Sequence, residues 1–342
     1  MKLKTQTTHY TFFYLPVFLF LIILLPSCNT SQKPGIYKGE KIASGTRDKL
    51  HKLNDELLSA LKTNNPEDLE LLMSQGMIDD RHKRLVTTEE ISIRMKTGDY
   101  SLMSEYYIVN PPKATSASST IKERDMGINN FDLTFAKATD ADEMYVALFT
   151  AKKAMQKWLI TAIYNKYNYG WKVDKLEVQP YAENGLTAPE LMEKAKEQLK
   201  NGYWLDGSNT ASYAVNCLRP YSSWKYVKEQ EIYHFNFDAL EVVKSHYKLP
   251  IIINSIPTHP RIWRIRIERT PDGSFPNVNI LSTINLLDTV ALRKENDAIG
   301  KSIGSVMAGI DKDKKYIYYT TYNEAKQGVA VNDHHDFVQK LK

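Results

Sequence analysis

The spacing of apolar and polar residues changes along the chain and divides it into stretches with different local structure. An apolar run, residues 12–25, comes first and is followed by a polar segment. From residue 47 the apolar positions recur three or four residues apart, as on one side of an α-helix, at Leu50, Leu53, Leu57, Leu58 and Leu61. This spacing predicts an amphipathic helix over residues 47–61.

Two further helix starts follow the first helix. In the segment 65–68, Asn65 can cap a helix whose first position is Pro66 and whose first turn carries two acids. This predicts a second helix through Met73, closed by Gly76. Thr88, with two glutamates directly after it, predicts a short third helix that ends near residue 98.

From about residue 105 the period shortens to two, which is typical of strands with one buried face. The pattern predicts strands over residues 105–109, 131–137, 144–151, 157–166 and 171–179. Turn signals at residues 140–142 and 168–170 separate the later strands, so we expect an antiparallel meander. Helices followed by an antiparallel sheet form an α+β arrangement.

Three segments of this part occur in a familiar order: residues 60–69, the strand at 158–164, and the turn and strand Gly170-Trp171-Lys172-Val173. Together they resemble the NTF2-like fold over residues 47–181. In that fold helices close one side of a bent sheet, and a final strand often follows a glycine-tryptophan turn. The resemblance implies a cone that can enclose a pocket, and some members are enzymes with an Asp-His pair inside it.

A change in composition at residues 180–187 separates this part from the rest of the chain. Two helices are predicted after it, over residues 188–199 and 207–218, and they suggest a helical hairpin connector spanning 186–230. Strand patterns return from about residue 231. They predict a second, smaller strand-rich α+β domain over 231–322, with a glycine-broken segment at 299–310, and a C-terminal tail over 323–342.

The apolar run near the N-terminus has the features of a signal peptide. Lys2 and Lys4 precede it, and it ends in Leu25-Pro26-Ser27-Cys28. It is shorter than the roughly 20 residues that a membrane-spanning helix needs. The last four residues resemble the bacterial lipobox, although Pro26 departs from the commonest residue there. This resemblance implies a signal peptide over 1–27, a lipidated Cys28 and a flexible tether over 28–46. The alternative is a buried N-terminal helix with an incidental cysteine.

Lipidation would decide where the protein is located. Two or three acyl chains on Cys28 would form a stable anchor, because each buried methylene contributes about 0.8 kcal/mol. In such lipoproteins an aspartate after the cysteine favours the inner membrane. Here the residue is Asn29, so we expect outer-membrane anchoring in the bacterial cell envelope.

Charge narrows the range of partners. The formal charge of +5 includes Lys2 and Lys4, so the mature chain carries 5 − 2 = +3, and no basic block favours nucleic acid as a partner. The expected partners are a membrane, through the lipid on Cys28, and an envelope protein or a glycan.

One strand offers the best candidate binding residues. Residues 263–268 alternate strictly, which places Trp263, Ile265 and Ile267 on one face and Arg264 and Arg266 on the other. The two arginines are candidates for binding an anionic group. The alternative is an ordinary solvated strand face.

The chain carries few groups suited to catalysis. Cys217 lies among small and apolar residues, with no neighbouring cation, so we expect a buried structural cysteine. His51 and His82 lie in polar surroundings, and His82 belongs to a charged segment that suggests a turn. His334 and His335 lack the separated ligands of a metal site, so we expect a flexible terminus, no metal and no cofactor.

These observations favour a non-enzymatic binding or interaction module on the envelope. The first alternative is an enzyme with its site in the cone. The chain contains no HExxH, P-loop, GxGxxG or GxSxG motif, so this alternative depends on the resemblance to the NTF2-like fold alone. The second is a purely structural envelope component. A polar pocket that joins His51 or His82 to an acid would favour the enzyme, whereas a filled cone and an exposed aromatic patch would favour binding.

Overall fold

The computed structural model describes residues 32–96, 98–111, 118–136, 141–325 and 334–341, and its architecture is α+β, as the sequence predicts. The predicted signal peptide and the lipidation site Cys28 lie outside the described residues. Lys33–Lys342 form one compact unit. Within the described ranges, no helix is long and apolar enough to cross a bilayer.

The first part of the fold contains one short strand and four helices. They are β1 (Gly35–Lys38), α1 (Ser44–Thr63), α2 (Pro66–Leu72), α3 (Gln75–Asp79) and α4 (Arg81–Lys96). As predicted, the Asn65 side chain caps α2 by accepting a hydrogen bond from the Glu67 N–H at 3.1 Å. The predicted tether ends earlier than expected, because residues 35–38 form a strand and α1 begins at Ser44.

Two of the predicted helix boundaries are wrong. The helix expected to start at Thr88 begins at Arg81, because Asp80 Oδ1 accepts a hydrogen bond from the Lys83 N–H at 3.3 Å and so caps the helix earlier. His82 therefore lies in the first turn of α4 and not in a turn between elements. Gly76 lies inside α3 instead of closing α2, which ends at Leu72.

The middle of the chain supplies seven strands and two helices. The strands are β2 (Tyr100–Val109), β3 (Ser118–Glu123), β4 (Phe131–Ala136), β5 (Glu143–Ala151), β6 (Lys157–Tyr167), β7 (Gly170–Glu183) and β8 (Leu186–Thr187). The helices are α5 (Ala188–Lys200) and α6 (Trp204–Asn216). Both helices agree with the predicted pair to within a few residues.

A curled antiparallel sheet of six strands, in the order β1-β2-β5-β6-β7-β8, organises this region. The meander β5-β6-β7 matches the prediction. The strand expected at 131–137 is β4, but it belongs to a separate three-stranded sheet with β3 and a later strand, β9 (Trp224–Tyr226). Phe131 and Trp224 explain this placement, because their rings stack at 3.6 Å between β4 and β9.

The remaining elements build a five-stranded sheet with helices on one side. They are α7 (Glu229–His246), β10 (Ile251–Ile252), β11 (Arg261–Thr270), β12 (Gly273–Leu281), α8 (Thr289–Val306), β13 (Tyr316–Tyr322) and β14 (His335–Lys340). The strand order is β10-β11-β12-β13-β14, and β12 and β13 run parallel, with α8 as the crossover between them.

Three expectations for this region are corrected. Residues from 231 onwards begin with the helix α7 rather than a strand. The segment expected to be glycine-broken contains most of the second half of α8, where a Cβ on Gly304 would lie 2.5 Å from Asp311 Oδ2, so close packing explains that glycine. The C-terminal tail, expected to be flexible, contains β14, because Phe337 packs into the apolar core of this sheet.

Candidate binding surface

The five-stranded sheet has one packed face and one open face. Residues paired directly across neighbouring strands point to the same side. On the packed face, Val278, Ile280, Ile317 and Tyr319 meet Ile303 and its neighbours on α8. The opposite side, which we call the open face, is formed by two rows across four strands: Arg264–Asn279–Thr320–Asp336 and Arg266–Asn277–Tyr318–Val338.

The predicted binding residues Arg264 and Arg266 both lie on the open face and are exposed. Neither guanidinium forms an ion pair or a hydrogen bond with another residue of the described ranges. They lie two residues apart on β11, so their Cα atoms are about 7 Å from each other. A planar guanidinium with five free N–H groups is suited to bind a carboxylate or phosphate through two hydrogen bonds.

The alternation predicted for β11 is interrupted at one residue. The pairing of β11 with β12 shifts between Ile262 and Arg264, so Trp263 forms a β-bulge. The bulge keeps Ile262 in the core while it leaves Arg264 on the solvent side. The predicted placement of the two arginines is confirmed, but Trp263 does not simply continue the buried face.

Polar side chains form the centre of the open face. Asn277 Oδ1 accepts hydrogen bonds from Asn279 Nδ2 and from the Thr320 hydroxyl, each at 3.1 Å. Thr320 Oγ1 also lies 2.8 Å from Asp336 Oδ1. Burial, with Glu268 nearby, raises the pKa of the Tyr318 hydroxyl, so this group stays protonated and can donate. Asn279 and Thr320 are buried, so the amide of Asn277 and the hydroxyl of Tyr318 are the half-buried polar groups that this network holds at the centre.

Aromatic rings lie at both ends of this polar centre. At one end the Phe275 ring meets Tyr316 edge-on at 5.3 Å, and Tyr318 is 6.3 Å from Phe275. At the other end Trp263 and Tyr322 make a T-shaped contact at 6.0 Å. Flat ring faces beside polar groups are typical of surfaces that recognise ligands with an apolar face and polar edges.

Two buried polar atoms beside the open face have no hydrogen-bond partner within the described ranges. Asn279 is 1% exposed, and its Oδ1 is an unpaired acceptor. The indole Nε1 of Trp263 is an unpaired donor. An unpaired buried polar group costs about 1–3 kcal/mol, so a ligand group or water that pairs with these atoms would be stabilised there.

The curled sheet, by contrast, is covered on both faces. On one side Leu57, Leu61 and Ile91 of α1 and α4 pack against the sheet residues Phe149 and Ile160. On the other side the three-stranded sheet and α5 and α6 pack through Phe131, Leu133, Trp224, Leu191 and Tyr213. Side chains fill the region that a ligand pocket occupies in an open cone.

One polar cluster does bring a predicted histidine together with an acid. His51 Nε2 lies 3.0 Å from Glu105 Oε2, to which Tyr145 also donates at 2.7 Å. Asn54 then links Tyr145 to Tyr164 through bonds of 2.8 and 3.0 Å. Such a pair can act as a general base when a substrate reaches it. The cavities found beside α4, of about 140 and 210 Å³, are lined by other side chains.

A larger cavity of about 620 Å³ lies between the end of β5 and the hairpin of β11 and β12. Its walls include Asp99, Lys152, Lys153 and Arg269. The lining includes no histidine or cysteine, and Lys152, Lys153 and Arg269 offer cations for an anion.

The remaining candidate groups do not form a reactive site. Cys217 is buried, and burial raises the pKa of its thiol to about 12, so it is not a thiolate at neutral pH. His82 is exposed on α4. His335 Nε2 lies 2.6 Å from the Leu286 carbonyl. In the part of the chain that the structure describes, no three metal-binding side chains come together.

The sequence did not identify four residues of the open face: Asn277, Asn279, Tyr318 and Thr320. The period-two alternation in β12 and β13 is the sequence feature that could have indicated them, because it places them on the other face of the sheet from Val278 and Tyr319. Finding them needed the parallel pairing of these two strands, which sequence alone does not provide.

No family model, curated protein or solved structure matches this chain.

Proposed function

We propose that this protein is a lipid-anchored cell-envelope binding protein, and that its ligand is an acidic glycan held on the open face. The observation that carries the proposal is the pair of exposed guanidiniums of Arg264 and Arg266, unpaired among the described residues and flanked by aromatic rings. The arginines would bind carboxylates of the glycan. The rings would contact the apolar C–H faces of its sugars, and the half-buried amide of Asn277 and hydroxyl of Tyr318 would bind its hydroxyl groups.

The lipid anchor and the outer-membrane location belong to the same proposal. They are supported by the lipobox at residues 25–28 and by Asn29 after the cysteine. The NTF2-like identity of residues 47–181 is proposed as well. It is supported by the order of elements, in which α1 to α4 precede a curled antiparallel sheet and pack on one side of it.

A binding role is preferred to catalysis because the cone is filled and the two arginines of the open face are exposed. The contact between His51 and Glu105 is the one observation that favours an enzyme, and the cavities described above do not include either residue. The purely structural alternative would leave the unpaired arginines without a role.

Affinity electrophoresis tests the ligand directly. Residues 33–342 are run through gels that contain polygalacturonate, a polymer of carboxylated sugars, or dextran, a neutral one. We expect retardation by polygalacturonate only, and a loss of at least about tenfold in apparent affinity, equal to about 1.4 kcal/mol, in the double variant Arg264→Gln/Arg266→Gln. Arg81→Gln, which removes an exposed arginine on α4, is the matched control and should behave like wild type.

Equal retardation of wild type and the double variant would show that the open face is not the site. Retardation by neither polymer, followed by crosslinking to an envelope protein through this face, would replace the glycan by a protein partner.

A further inference from the structure

The start of α8 and the loop before it carry two strongly exposed apolar side chains. Leu287 is 89% exposed and Val290 is 80% exposed, more than any other large apolar residue of the described ranges. Leu287 directly precedes the N-cap Asp288 and Val290 is the second residue of α8, so both side chains lie at the same end of the helix. We call these two residues the apolar tip. Exposed apolar side chains that are grouped in this way mark contact sites with membranes or proteins.

The tip is held on a fixed loop. Asn323 Nδ2 donates to the Ile284 carbonyl at 2.6 Å, and His335 Nε2 lies 2.6 Å from the Leu286 carbonyl. The Leu287 N–H donates to Asn285 Oδ1 at 2.9 Å. The apolar side chains are therefore presented by a hydrogen-bonded loop at one end of the five-stranded sheet, and little conformational entropy is lost when they make a contact.

Cations lie one turn behind the apolar tip. Arg293 and Lys294 are exposed on α8, and neither forms an ion pair with a described residue. At 1.5 Å per residue they are roughly 5 Å further along the helix axis than Val290. The nearby acids are Asp288, whose side chain caps the helix by accepting from the Ala291 N–H at 2.9 Å, and Asp297, almost a full turn further from the tip.

This arrangement, with apolar side chains at the tip and cations one turn behind them, matches the order of acyl chains and phosphates at a bilayer surface. Interfacial segments bury apolar side chains about 5–10 Å into the boundary between headgroups and acyl chains, with basic residues at the phosphates. Two side chains are too small for a stable protein interface, which needs about 800 Å² per partner. They suit a weak second contact beside an anchor that already keeps the protein at the surface.

We propose that the apolar tip is a membrane contact: Leu287 and Val290 insert into an anionic bilayer while Arg293 and Lys294 bind its headgroup phosphates. This goes beyond the proposed glycan site and uses none of its residues. Only six residues lie between Cys28 and Gly35, where β1 begins, and the seven Cα–Cα steps span at most about 25 Å. A lipid on Cys28 would therefore keep the folded unit within reach of the bilayer.

The test uses residues 33–342, which form one compact unit and lack Cys28. Leu287→Cys is labelled with an environment-sensitive dye; Cys217 is buried and does not compete for the label. With vesicles of phosphatidylglycerol and phosphatidylethanolamine we expect the dye emission to rise and shift to shorter wavelength. The matched control is Phe237→Cys, at a 65% exposed apolar position on α7, which should not respond.

Sedimentation with the same vesicles supplies the affinity. We expect Leu287→Ser/Val290→Ser to bind at least about tenfold more weakly than wild type, because each side chain loses its apolar burial. Arg293→Gln/Lys294→Gln should lose the preference for anionic vesicles over phosphatidylcholine. An unchanged dye signal, or equal sedimentation of the serine variant and wild type, would overturn the proposal.

The two proposals fail separately. Leu287→Ser/Val290→Ser should keep its retardation by polygalacturonate, and Arg264→Gln/Arg266→Gln should keep its vesicle binding. The fold of every variant is checked by its thermal unfolding midpoint, which exposed substitutions of this kind should leave within a few degrees of wild type.

Discussion

Single residues show that the core of the curled sheet is not purely apolar. Glu105 is 6% exposed, yet its carboxylate accepts bonds from Tyr145 and His51. Burial, together with the bond to Glu105, keeps the pKa of Tyr145 far above its ordinary value, so the hydroxyl remains a donor. A buried acid is tolerated here because its partners satisfy it.

Removing one hydroxyl from this cluster should therefore lower the stability of the fold. We expect Tyr145→Phe to lower the free energy of unfolding by about 1–3 kcal/mol, because Glu105 and Asn54 each lose a partner while they remain buried. Urea denaturation measures the change. Tyr169→Phe removes an exposed hydroxyl and should change the free energy of unfolding by less than about 0.5 kcal/mol. Equal values for the two variants would show that the cluster adds no stability.

At the residue scale the sequence predicted the two arginines but not their surroundings. Strict alternation placed Arg264 and Arg266 on the solvent side, and the structure agrees. The bulge at Trp263 and the unpaired amide of Asn279 depend on how β11 and β12 are paired. Pairing register is set by contacts between distant segments, so a single strand's pattern does not contain it.

Among the elements, those with local signals were predicted best. Asn65 and Pro66 marked α2, and the first residues of α5 marked its start correctly. The helix α7 was missed, and the long α8 was expected to be broken. α7 buries few residues, among them Ile232 and Ala239, so its apolar stripe is weak. In both helices tertiary packing, rather than the local pattern, decides the structure.

At the start of α5, Glu190 should stabilise the fold to an extent that depends on pH. Glu190 accepts from the Thr187 N–H at 2.9 Å and from Asn129 Nδ2 at 3.1 Å. Burial alone would raise the pKa of Glu190, but these hydrogen bonds outweigh it and lower the pKa below 4.5. An acid with a lowered folded-state pKa stabilises the fold above its unfolded pKa, and this stability is lost as pH falls through the folded value.

We therefore expect Glu190→Gln to reduce the free energy of unfolding by about 0.5–2 kcal/mol at pH 7, the range found for helix caps. The difference from wild type should shrink as pH falls below about 4.5, the ordinary pKa of a glutamate. Denaturation curves at several pH values measure this. Glu197→Gln, at an exposed position on the same helix, is the control, and a difference that stays constant with pH would contradict the argument.

For the whole molecule, the sequence predicted the α+β class and a group of helices followed by strands in the first half, but it missed β1, α3 and β3. It did not predict that β4 leaves the meander and pairs with β9, almost 90 residues later. The stacked rings of Phe131 and Trp224 stabilise this pairing, and no local pattern connects them. The local sequence pattern predicts that each segment is a strand, but it does not predict which distant strand the segment pairs with.

The anchored state of the whole molecule is tested by intact mass and membrane fractionation in a gram-negative host. We expect wild type to lose its first 27 residues, gain acyl mass and sediment with outer membranes, because Cys28 is the proposed lipidation site. Cys28→Ala should show none of these changes. If the two proteins behave alike, the lipobox assignment is wrong and the envelope location fails with it.

The edge strand β1 has a mechanical consequence. It is four residues long and pairs only with β2, from Gly35 opposite Val109 to Lys38 opposite Tyr106. A force applied through Cys28 enters the folded unit at Gly35 and therefore peels β1 away before it reaches α1. At about 3.3 Å per residue, this gives roughly 13 Å of extra length. If Cys28 is lipidated as proposed, this extra length would let the folded unit move relative to the membrane while the rest of the sheet stays folded.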